Sequence, residues 1–494
     1  MIPAHLPNDN DLLCATSVCR HWRRTFIQHA ALWSGVDLTF RRNPRFVKTF
    51  LERAKGSALD IRFACLDNAD ILALLSSHAQ QFRTLDFVHD CWSNIQKLSE
   101  ASRGPLPLLH TLKINATVFD LLGETMITPS PPLFGCAVNL KKFILRSDGA
   151  PYLNYFAFPN LTTFELSATP EDEGFPAAQL LNFLEASPVL QTVRIRIEAG
   201  VVLLGDVPPE RVVVLPNVEA LSITQSEPSY KIAAHISCPS AKRTSLVHER
   251  DVAHWISQIA FPTSVSWDSI GPQYMASTID EVVLGIASFG DDTLSCSLSF
   301  LSPGPVTLEL GYVIATECED YENTLSLGDI HFEVLSQACK AVRMHPLLKN
   351  IKRLRIQNRH HPLTPHHLTY IAKEVAQLFK LMGPLEKLIL DVDDLRPFLS
   401  PFFNLPEFQG LMDPDAFPSI KGLVIAEQSD RPFNDVCVAA ILGFVKSQHT
   451  RGAPFERTTL HMKFPPVGMV ERLEPWVGTL HFSEAMLGDG QDFL

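Results

Sequence analysis

The chain has 494 residues, of which 46% are hydrophobic and 19% are charged, and its formal net charge at pH 7 is −12. This much apolar material excludes a wholly disordered chain and is sufficient for several ordinary domains or for one extended repeat array. The excess of acidic residues repels polyanions, so we do not expect binding to nucleic acid.

The charge is unevenly distributed along the chain. Residues 1–55 hold nine basic and four acidic side chains, whereas the whole chain holds 42 Lys and Arg against 54 Asp and Glu. The amino-terminal end is therefore locally positive and is suited to an acidic protein partner.

Cysteine usage and hydropathy indicate the compartment. The ten cysteines form no C-x-x-C pair, and most lie on apolar stripes, which favours reduced, buried thiols over a disulfide framework. We find no apolar run of signal-peptide length at the amino terminus and no uninterrupted window of about 18 apolar residues. We therefore expect a soluble intracellular protein, cytoplasmic and/or nuclear, with no membrane partner.

The first predicted element is an amphipathic helix that begins after Asn10 or Asp11, either of which can act as its N-cap. Apolar residues recur at helical spacing along one side of it: Leu12, Ala15, Cys19, Trp22 and Phe26. Basic residues take the opposite side: Arg20, Arg23 and Arg24. A Leu32-Trp33 pair follows after one short connection.

This arrangement resembles the second half of an F-box, in which a D-L-L-x-x-x-x-V-C-x-x-W helix precedes an L-W pair. The resemblance covers about residues 1–40 and implies docking to the adaptor subunit of a cullin-based (SCF-type) ubiquitin ligase. The residues that it assigns to partner binding are Leu12, Leu13, Val18, Trp22, Leu32 and Trp33. For Trp22 and Trp33, packing in the protein core is an equally open alternative.

The match begins inside the family motif. Family members usually open with an L-P-x-E-I-like segment and a first helix, whereas here only Met1 to His5 precede Leu6-Pro7, which looks like the second turn of the motif. Either the natural sequence extends upstream, or this is a degenerate F-box that no longer docks. We expect weak docking by the chain as it stands and tight docking once an upstream opening segment is present.

One phrase, apolar-x-x-apolar-x-apolar, recurs through the rest of the chain. The copies follow one another at intervals of about 21 to 35 residues, with one longer gap. Their first residues are Phe82, Leu109, Leu140, Leu161, Leu190, Val218, Ile351, Leu385 and Ile420. Prolines precede several copies and suit the mouth of a strand: Pro107, Pro159, Pro188, Pro216, Pro384 and Pro418.

Helices are predicted between the phrases, over Asp70–Gln80, Ala177–Ser187, Asp329–Val342, Pro365–Leu381 and Asn434–Ser447. A strand followed by a crossover helix, repeated, gives parallel strands stacked into a curved solenoid with the helices on its convex side.

The phrase resembles that of irregular, fungal-type F-box/leucine-rich-repeat proteins. The resemblance implies an α/β fold, with a partial F-box-like helical module at 1–40 and a leucine-rich-repeat-like solenoid at 41–494. The family's asparagine, eight positions after the first apolar residue, is absent from every copy here. The alternative is a phrase that recurs by chance in an apolar-rich α/β protein.

Residues 226–345 interrupt the repeat. Strands are predicted there over Val265–Trp267, Glu281–Ile286, Leu294–Phe300 and Val306–Val313. The region is interpreted as degenerate repeats with inserted loops, or as a separate inserted domain.

Residues typical of catalysis are sparse. The densest metal-like cluster, His360-His361 with His366-His367, has no cysteine or spaced carboxylate to complete a ligand set. Phosphate-binding and nucleophile-elbow glycine motifs are absent from the sequence. We therefore expect neither metal nor cofactor nor enzyme activity, and predict a ubiquitin-ligase subunit whose repeats bind a protein target. The alternatives are a repeat scaffold without ligase docking and, more remotely, a hydrolase-type enzyme.

Overall fold

The computed structural model of the chain forms two compact units, Met1–Ala241 and Lys242–Leu494. The residues that it describes are 14, 16–39, 43–64, 68–102, 104–117, 133–135, 137–147, 153–169, 175–197, 202–203, 207–208, 210–225, 230–233, 235–251, 281–288, 293–301, 307–315, 351–359, 385–392, 420–426, 435–462, 466 and 468–483. The two predicted domains, with their boundary near residue 40, remain a prediction.

The described helices of the first unit are α1 (Arg20–Gln28), α2 (Pro44–Ala54), α3 (Ala69–Ser77), α4 (Trp92–Ala101), α5 (Ala177–Glu185) and α6 (Tyr230–Ala233). Asparagine side chains begin two of them: Asn43 accepts a hydrogen bond from Arg45 N, and Asn68 accepts from Asp70 N and Ile71 N. The predicted helices at 70–80 and 177–187 thus correspond to α3 and α5.

Eight described strands of the first unit form one parallel sheet, here called the ladder. They are β1 (Gly35–Leu38), β2 (Leu59–Phe63), β3 (Phe82–Cys91), β4 (Thr111–Thr117), β5 (Lys142–Ser147), β6 (Thr163–Ala168), β8 (Thr192–Ile197) and β11 (Ala220–Gln225). Each strand pairs in parallel with the next of these along the chain. Short strands β7 (Phe175–Pro176) with β9 (Val202–Leu203), and β10 (Val213–Val214) with β12 (Ile236–Ser237), pair separately.

The repeated phrase sets the register of the ladder. Its second apolar residues lie directly opposite one another: Leu85, Leu112, Phe143, Phe164, Val193 and Leu221. Its third apolar residues form a parallel row: Phe87, Ile114, Leu145, Leu166, Ile195 and Ile223. All twelve side chains are buried. Residues two apart on a strand share a face, so both rows face the same core.

Two further strands precede the first predicted copy. Val36 and Leu38 of β1 pair with Ile61 and Phe63 of β2, which continue the two buried rows. The register shifts after Leu59, which lies opposite the first apolar residue of the next copy, Phe82. Because β2 has one residue fewer between its first and second apolar positions, the phrase does not match it.

A tight turn precedes each predicted copy in the ladder. The first apolar residue donates its backbone N–H to the carbonyl three residues earlier, as from Leu161 to Phe158 at 3.2 Å and from Leu190 to Ser187 at 3.3 Å. Pro159 and Pro188 occupy the second position of these turns, where the fixed φ of proline is favoured. Of the recurring prolines, Pro107, Pro159, Pro188 and Pro216 therefore lie in turns and not at the mouths of strands as predicted. Pro384 and Pro418 lie outside the described residues.

Asparagines join successive turns. The side-chain amides of Asn139, Asn160 and Asn217 donate to the carbonyl oxygens of Pro107 (2.8 Å), Val138 (2.9 Å) and Pro188 (3.1 Å). Each of these asparagines directly precedes the first apolar residue of its copy. They provide cross-repeat hydrogen bonds at a position different from that of the family's asparagine.

Aromatic packing fills the space between the ladder and its connections. The ring of Phe143 lies 4.8 Å from that of Phe156 and 5.3 Å from that of Phe158. Phe183 of α5 contacts Phe164 at 4.6 Å and Phe143 at 5.9 Å. The two buried rows thus face the connecting segments, while the intervening strand residues face the other way.

The second unit contains a sheet of nine described strands, β13 (Arg243–Asp251), β14 (Glu281–Ser288), β15 (Thr293–Leu301), β16 (Thr307–Ala315), β17 (Arg353–Arg359), β18 (Lys387–Val392), β19 (Gly422–Ala426), β20 (Arg457–His461) and β21 (Leu480–Ser483). From β17 to β21 each strand pairs in parallel with the next. Helices α7 (Asp435–Thr450), predicted at 434–447, and α8 (Met469–Leu473) follow β19 and β20.

The interrupted region is an antiparallel insertion in this sheet. Strands β14, β15 and β16 correspond to three of the four predicted strands, and Val265–Trp267 lies outside the described residues. β15 pairs antiparallel with both β14 and β16, while β13 pairs in parallel with β16 and β14 with β17. Connections of a few residues allow only antiparallel pairing between β14, β15 and β16. Both interpretations of the region, as degenerate repeats with inserted loops or as a separate inserted domain, stay predictions.

The register of the second sheet extends the phrase beyond its last predicted copy. Leu354, Leu388 and Leu423 are followed in the same row by Thr458 of β20, which is fully buried. The copy that begins at Phe455 therefore does not match the phrase, because its second apolar position is occupied by a threonine. The helices predicted at 329–342 and 365–381 lie outside the described residues.

The asparagine bonds should contribute measurably to stability. We expect Asn160→Ala to lower the free energy of unfolding by about 1 kcal/mol, because the Val138 carbonyl loses its donor. Urea unfolding of the purified protein measures the change. The control is Asn154→Ala, at an exposed asparagine of a neighbouring turn, with an expected change within about 0.5 kcal/mol. Equal effects of the two substitutions would contradict a role for the asparagine bonds.

Candidate docking and recognition surfaces

The predicted amino-terminal helix is interrupted at Cys19. Residues 14 and 16–18 are helical, but Cys19 is extended, with φ −156° and ψ 169°, and α1 begins at Arg20. The Cys19 thiol accepts a hydrogen bond from Trp22 N at 3.4 Å and thereby caps α1. Cys19 is exposed, so it is not the buried stripe residue that the helical spacing predicts.

Two residues of the F-box-like motif present apolar surface. Val18 is 64% exposed and Trp22 is 48% exposed. The Trp22 ring stacks on that of Phe26, with centroids 5.8 Å apart, and Phe26 is buried. Trp22 is thus held from one side by its own chain and is open on the other.

Trp33 lies in the core, which is the alternative that the sequence leaves open for it. Its indole is fully buried, and Nε1 donates to the Phe26 carbonyl oxygen at 2.9 Å. Phe50 of α2 packs edge-on against it at 4.9 Å, and the Arg53 guanidinium lies 4.4 Å from the ring centroid. Trp33 therefore joins α1 to α2, and direct contact with a partner is not open to its side chain.

The remaining residues that the resemblance assigns to partner binding are Leu12, Leu13 and Leu32. Leu32 is half-buried in the short helical turn Ala30–Trp33. Leu12 and Leu13 lie outside the described residues. The structure therefore brings Val18 and Trp22 to the surface of one segment, with Trp33 beneath it.

A second candidate surface is the face of the ladder opposite its buried rows, here called the open face. Its middle row contains, in strand order, Arg62, Asp86, Lys113, Ile144, Glu165, Arg194 and Ser222. Most of these side chains are charged, and all are half-buried or exposed.

Two carboxylates on the open face each serve two cations. Asp86 Oδ2 lies 3.9 Å from Arg62 Nε and 3.4 Å from Lys113 Nζ. Glu165 Oε1 lies 3.1 Å from Lys142 Nζ and 3.8 Å from Arg194 Nη1. Exposed pairs of this kind stabilise a fold weakly. Their regular placement makes the open face a polar surface with patterned charge.

The charge pattern of the sequence also indicates this surface. The repeated phrase is defined by the apolar positions of each copy, whereas the open face is formed by the residues between them. In successive copies those residues alternate in charge, as in Arg62, Asp86 and Lys113.

The closest ion pair of the ladder links β2 and β3. Two of the guanidinium nitrogens of Arg83, Nε and Nη2, donate to the Asp60 carboxylate, with Nε 2.9 Å from Oδ1. Burial raises the pKa of Asp60, but hydrogen bonds from Arg83 and Thr84 and the charges of Arg83 and Lys113 outweigh it, so the pKa lies below the usual 3.8.

A serine–histidine pair lies at the last two strands of the second unit. His461 Nδ1 is 2.6 Å from Ser483 Oγ, and burial, with the nearby charge of Lys387, lowers the pKa of His461. Asp391 shares their row but lies two strands from His461, roughly 10 Å away. At that distance Asp391 does not orient the imidazole, so these three residues do not form the arrangement that a hydrolytic triad requires.

Neither a metal site nor a membrane span emerges from the described part of the chain. Within it, no group of three or more His, Cys, Asp or Glu side chains is arranged to hold a metal ion. No described helix is long and apolar enough to cross a membrane. The predicted histidine cluster at 360–367 lies outside the described residues.

Burial raises the pKa of the Cys238 thiol to about 12, as expected of an unreactive cysteine.

Comparison with known proteins returned no match: no protein-family model and no curated protein matches the chain.

The Asp60–Arg83 pair should be visible in the titration of Asp60. Since its pKa is lowered in the folded state, the pair stabilises the fold above about pH 4 and loses this effect as the pH falls through the lowered pKa. We expect Arg83→Gln to raise the pKa of Asp60, measured by NMR of carbon-13-labelled aspartate. Arg62→Gln removes a partner of Asp86 instead and is the control. An unchanged Asp60 pKa in Arg83→Gln would refute the assignment.

Proposed function

We propose that the chain is the substrate-recognition subunit of a cullin-based ubiquitin ligase. The observation that carries the proposal is the exposure of Val18 and Trp22, two positions of the F-box-like motif, beside a fully buried Trp33. Exposed apolar side chains anchored on a folded body are typical of protein docking sites, and tryptophan is enriched among the residues that dominate binding energy.

We further propose that the ladder is a leucine-rich-repeat solenoid with its helices on the convex side. Chain-order parallel pairing, aligned apolar rows and recurring turns support this interpretation. In such a solenoid the open face is the concave, target-binding surface. The target is a protein, and its binding would raise its effective concentration near a ubiquitin-charged enzyme.

In this mechanism the chain makes and breaks no bonds itself. The contacts of Trp33 with Phe26, Phe50 and Arg53 link α1, which carries Trp22, to α2. A rigid link of this kind would hold a bound target in a fixed orientation relative to the adaptor. The second candidate function, a repeat scaffold without ligase docking, uses the same open face and needs no adaptor.

Co-purification tests the ligase function. The protein carries a carboxy-terminal tag and is expressed from its own gene, so that its natural amino terminus is retained. We expect the adaptor and the cullin to co-purify with it, and Trp22→Ala or Val18→Asp to reduce the recovered adaptor by about tenfold or more, since both remove apolar docking surface.

The matched control is Val138→Asp, which changes a valine of similar exposure, 56%, in a turn of the ladder. It should leave the recovered adaptor unchanged. Absence of the adaptor from the unsubstituted protein would contradict the ligase function and leave the scaffold.

A further inference from the structure

The exposed side of α1 combines positive charge with an aromatic ring. Of its nine residues, only Phe26 is buried. At about 100° per residue, the exposed arc runs from Arg20 and Arg24 at one edge, over His21, to Trp22 at the other. Among the described contacts, α1 is therefore held chiefly by Phe26 and by the bond from Trp33.

The charges of α1 are unfavourable for the helix on its own. Its first turn contains no acidic residue, although the helix dipole favours negative charge there. Arg20 and Arg24 are four residues apart, a spacing at which like charges repel. None of the ion pairs in the described part of the chain involves either of them.

Among the described residues, α2 does not compensate these charges. In α2, Glu52 lies 3.9 Å from Lys48, its partner within that helix. Arg53 adds a further cation and stacks on Trp33. Arg23 donates from Nε to the Thr16 carbonyl oxygen at 2.9 Å and so bridges the interruption at Cys19.

We infer that α1 binds an acidic protein surface that has an apolar contact site for Trp22 beside its carboxylates. Such a surface offsets the repulsion between Arg20 and Arg24 and covers the exposed indole, so charge and apolar burial both favour it. The inference rests on the proposed function, in which this partner is the ligase adaptor. It adds that attraction between charges contributes to docking.

Salt dependence of adaptor binding tests the inference. Raising the salt from about 0.05 M to about 0.5 M shortens the screening length several-fold and should weaken binding by about tenfold. The double variant Arg20→Glu/Arg24→Glu should bind at least about tenfold more weakly at low salt, since two attractive contacts become repulsive, and its binding should no longer weaken as salt is added. Arg20→Lys/Arg24→Lys should retain binding. The glutamates place negative charge in the first half of α1, which the helix dipole tolerates, so a loss of binding is not explained by loss of the helix.

The matched control is Lys97→Glu/Lys141→Glu, which makes the same total change in charge at exposed positions away from α1 and should leave the low-salt affinity unchanged. Tight adaptor binding that neither salt nor the arginine reversal changes would overturn the inference and leave the docking function intact. No adaptor binding under any condition would overturn both.

Discussion

The parallel alignment of apolar side chains from one strand to the next is the constraint on which the first unit depends. In both buried rows each side chain lies opposite its equivalent in the next strand, at the spacing of about 4.8 Å that parallel pairing sets. A shift of one residue would turn both rows toward the open face, so the register is strongly specified. The turns, the asparagine bonds and the charged rows all take their positions from this alignment.

That alignment also places the apolar side chains on one face of the ladder and most charged side chains on the other. Side chains on one face, such as Phe143 and Phe164, pack against Phe183 and hold the connections in place. Side chains on the other face carry little of the packing, and in the proposed function their charges contact the protein target. Asp86 and Glu165 are each shared by two cations, and such polar clusters favour specificity more than stability.

Much of this fold could be predicted from the sequence, for an identifiable physical reason. Residues two apart on a strand share a face, so copies such as Leu161-x-x-Phe164-x-Leu166 predict both the strand and its buried side. The apolar phrase does not match β2, which is one residue shorter, or β20, where Thr458 is buried at an apolar position. Weak apolar phrases do not reveal strand direction either, so the antiparallel pairing of β14, β15 and β16 follows from their short connections and not from the phrase.

The amino-terminal segment that holds Cys19, Trp22 and Phe26 was predictable in composition but not in conformation. Helical spacing places Cys19, Trp22 and Phe26 on one stripe, yet Cys19 caps α1, and only Phe26 of the three is buried. Spacing likewise does not tell an exposed Trp22 from a buried Trp33, because that difference depends on Phe50 and Arg53 of the next helix. In the proposed function the open face binds the target, and the rows of that face exist only if the strands of the ladder follow the order described.

Distances between spin labels test that order most directly. Labels introduced as unnatural amino acids at Arg62, Lys113 and Ser222 lie in one row of the open face, on β2, β4 and β11. The account predicts separations of roughly 29 Å between 62 and 222 and roughly 19 Å between 113 and 222, because each strand adds about 4.8 Å. A separation between 62 and 222 no larger than that between 113 and 222 would contradict it.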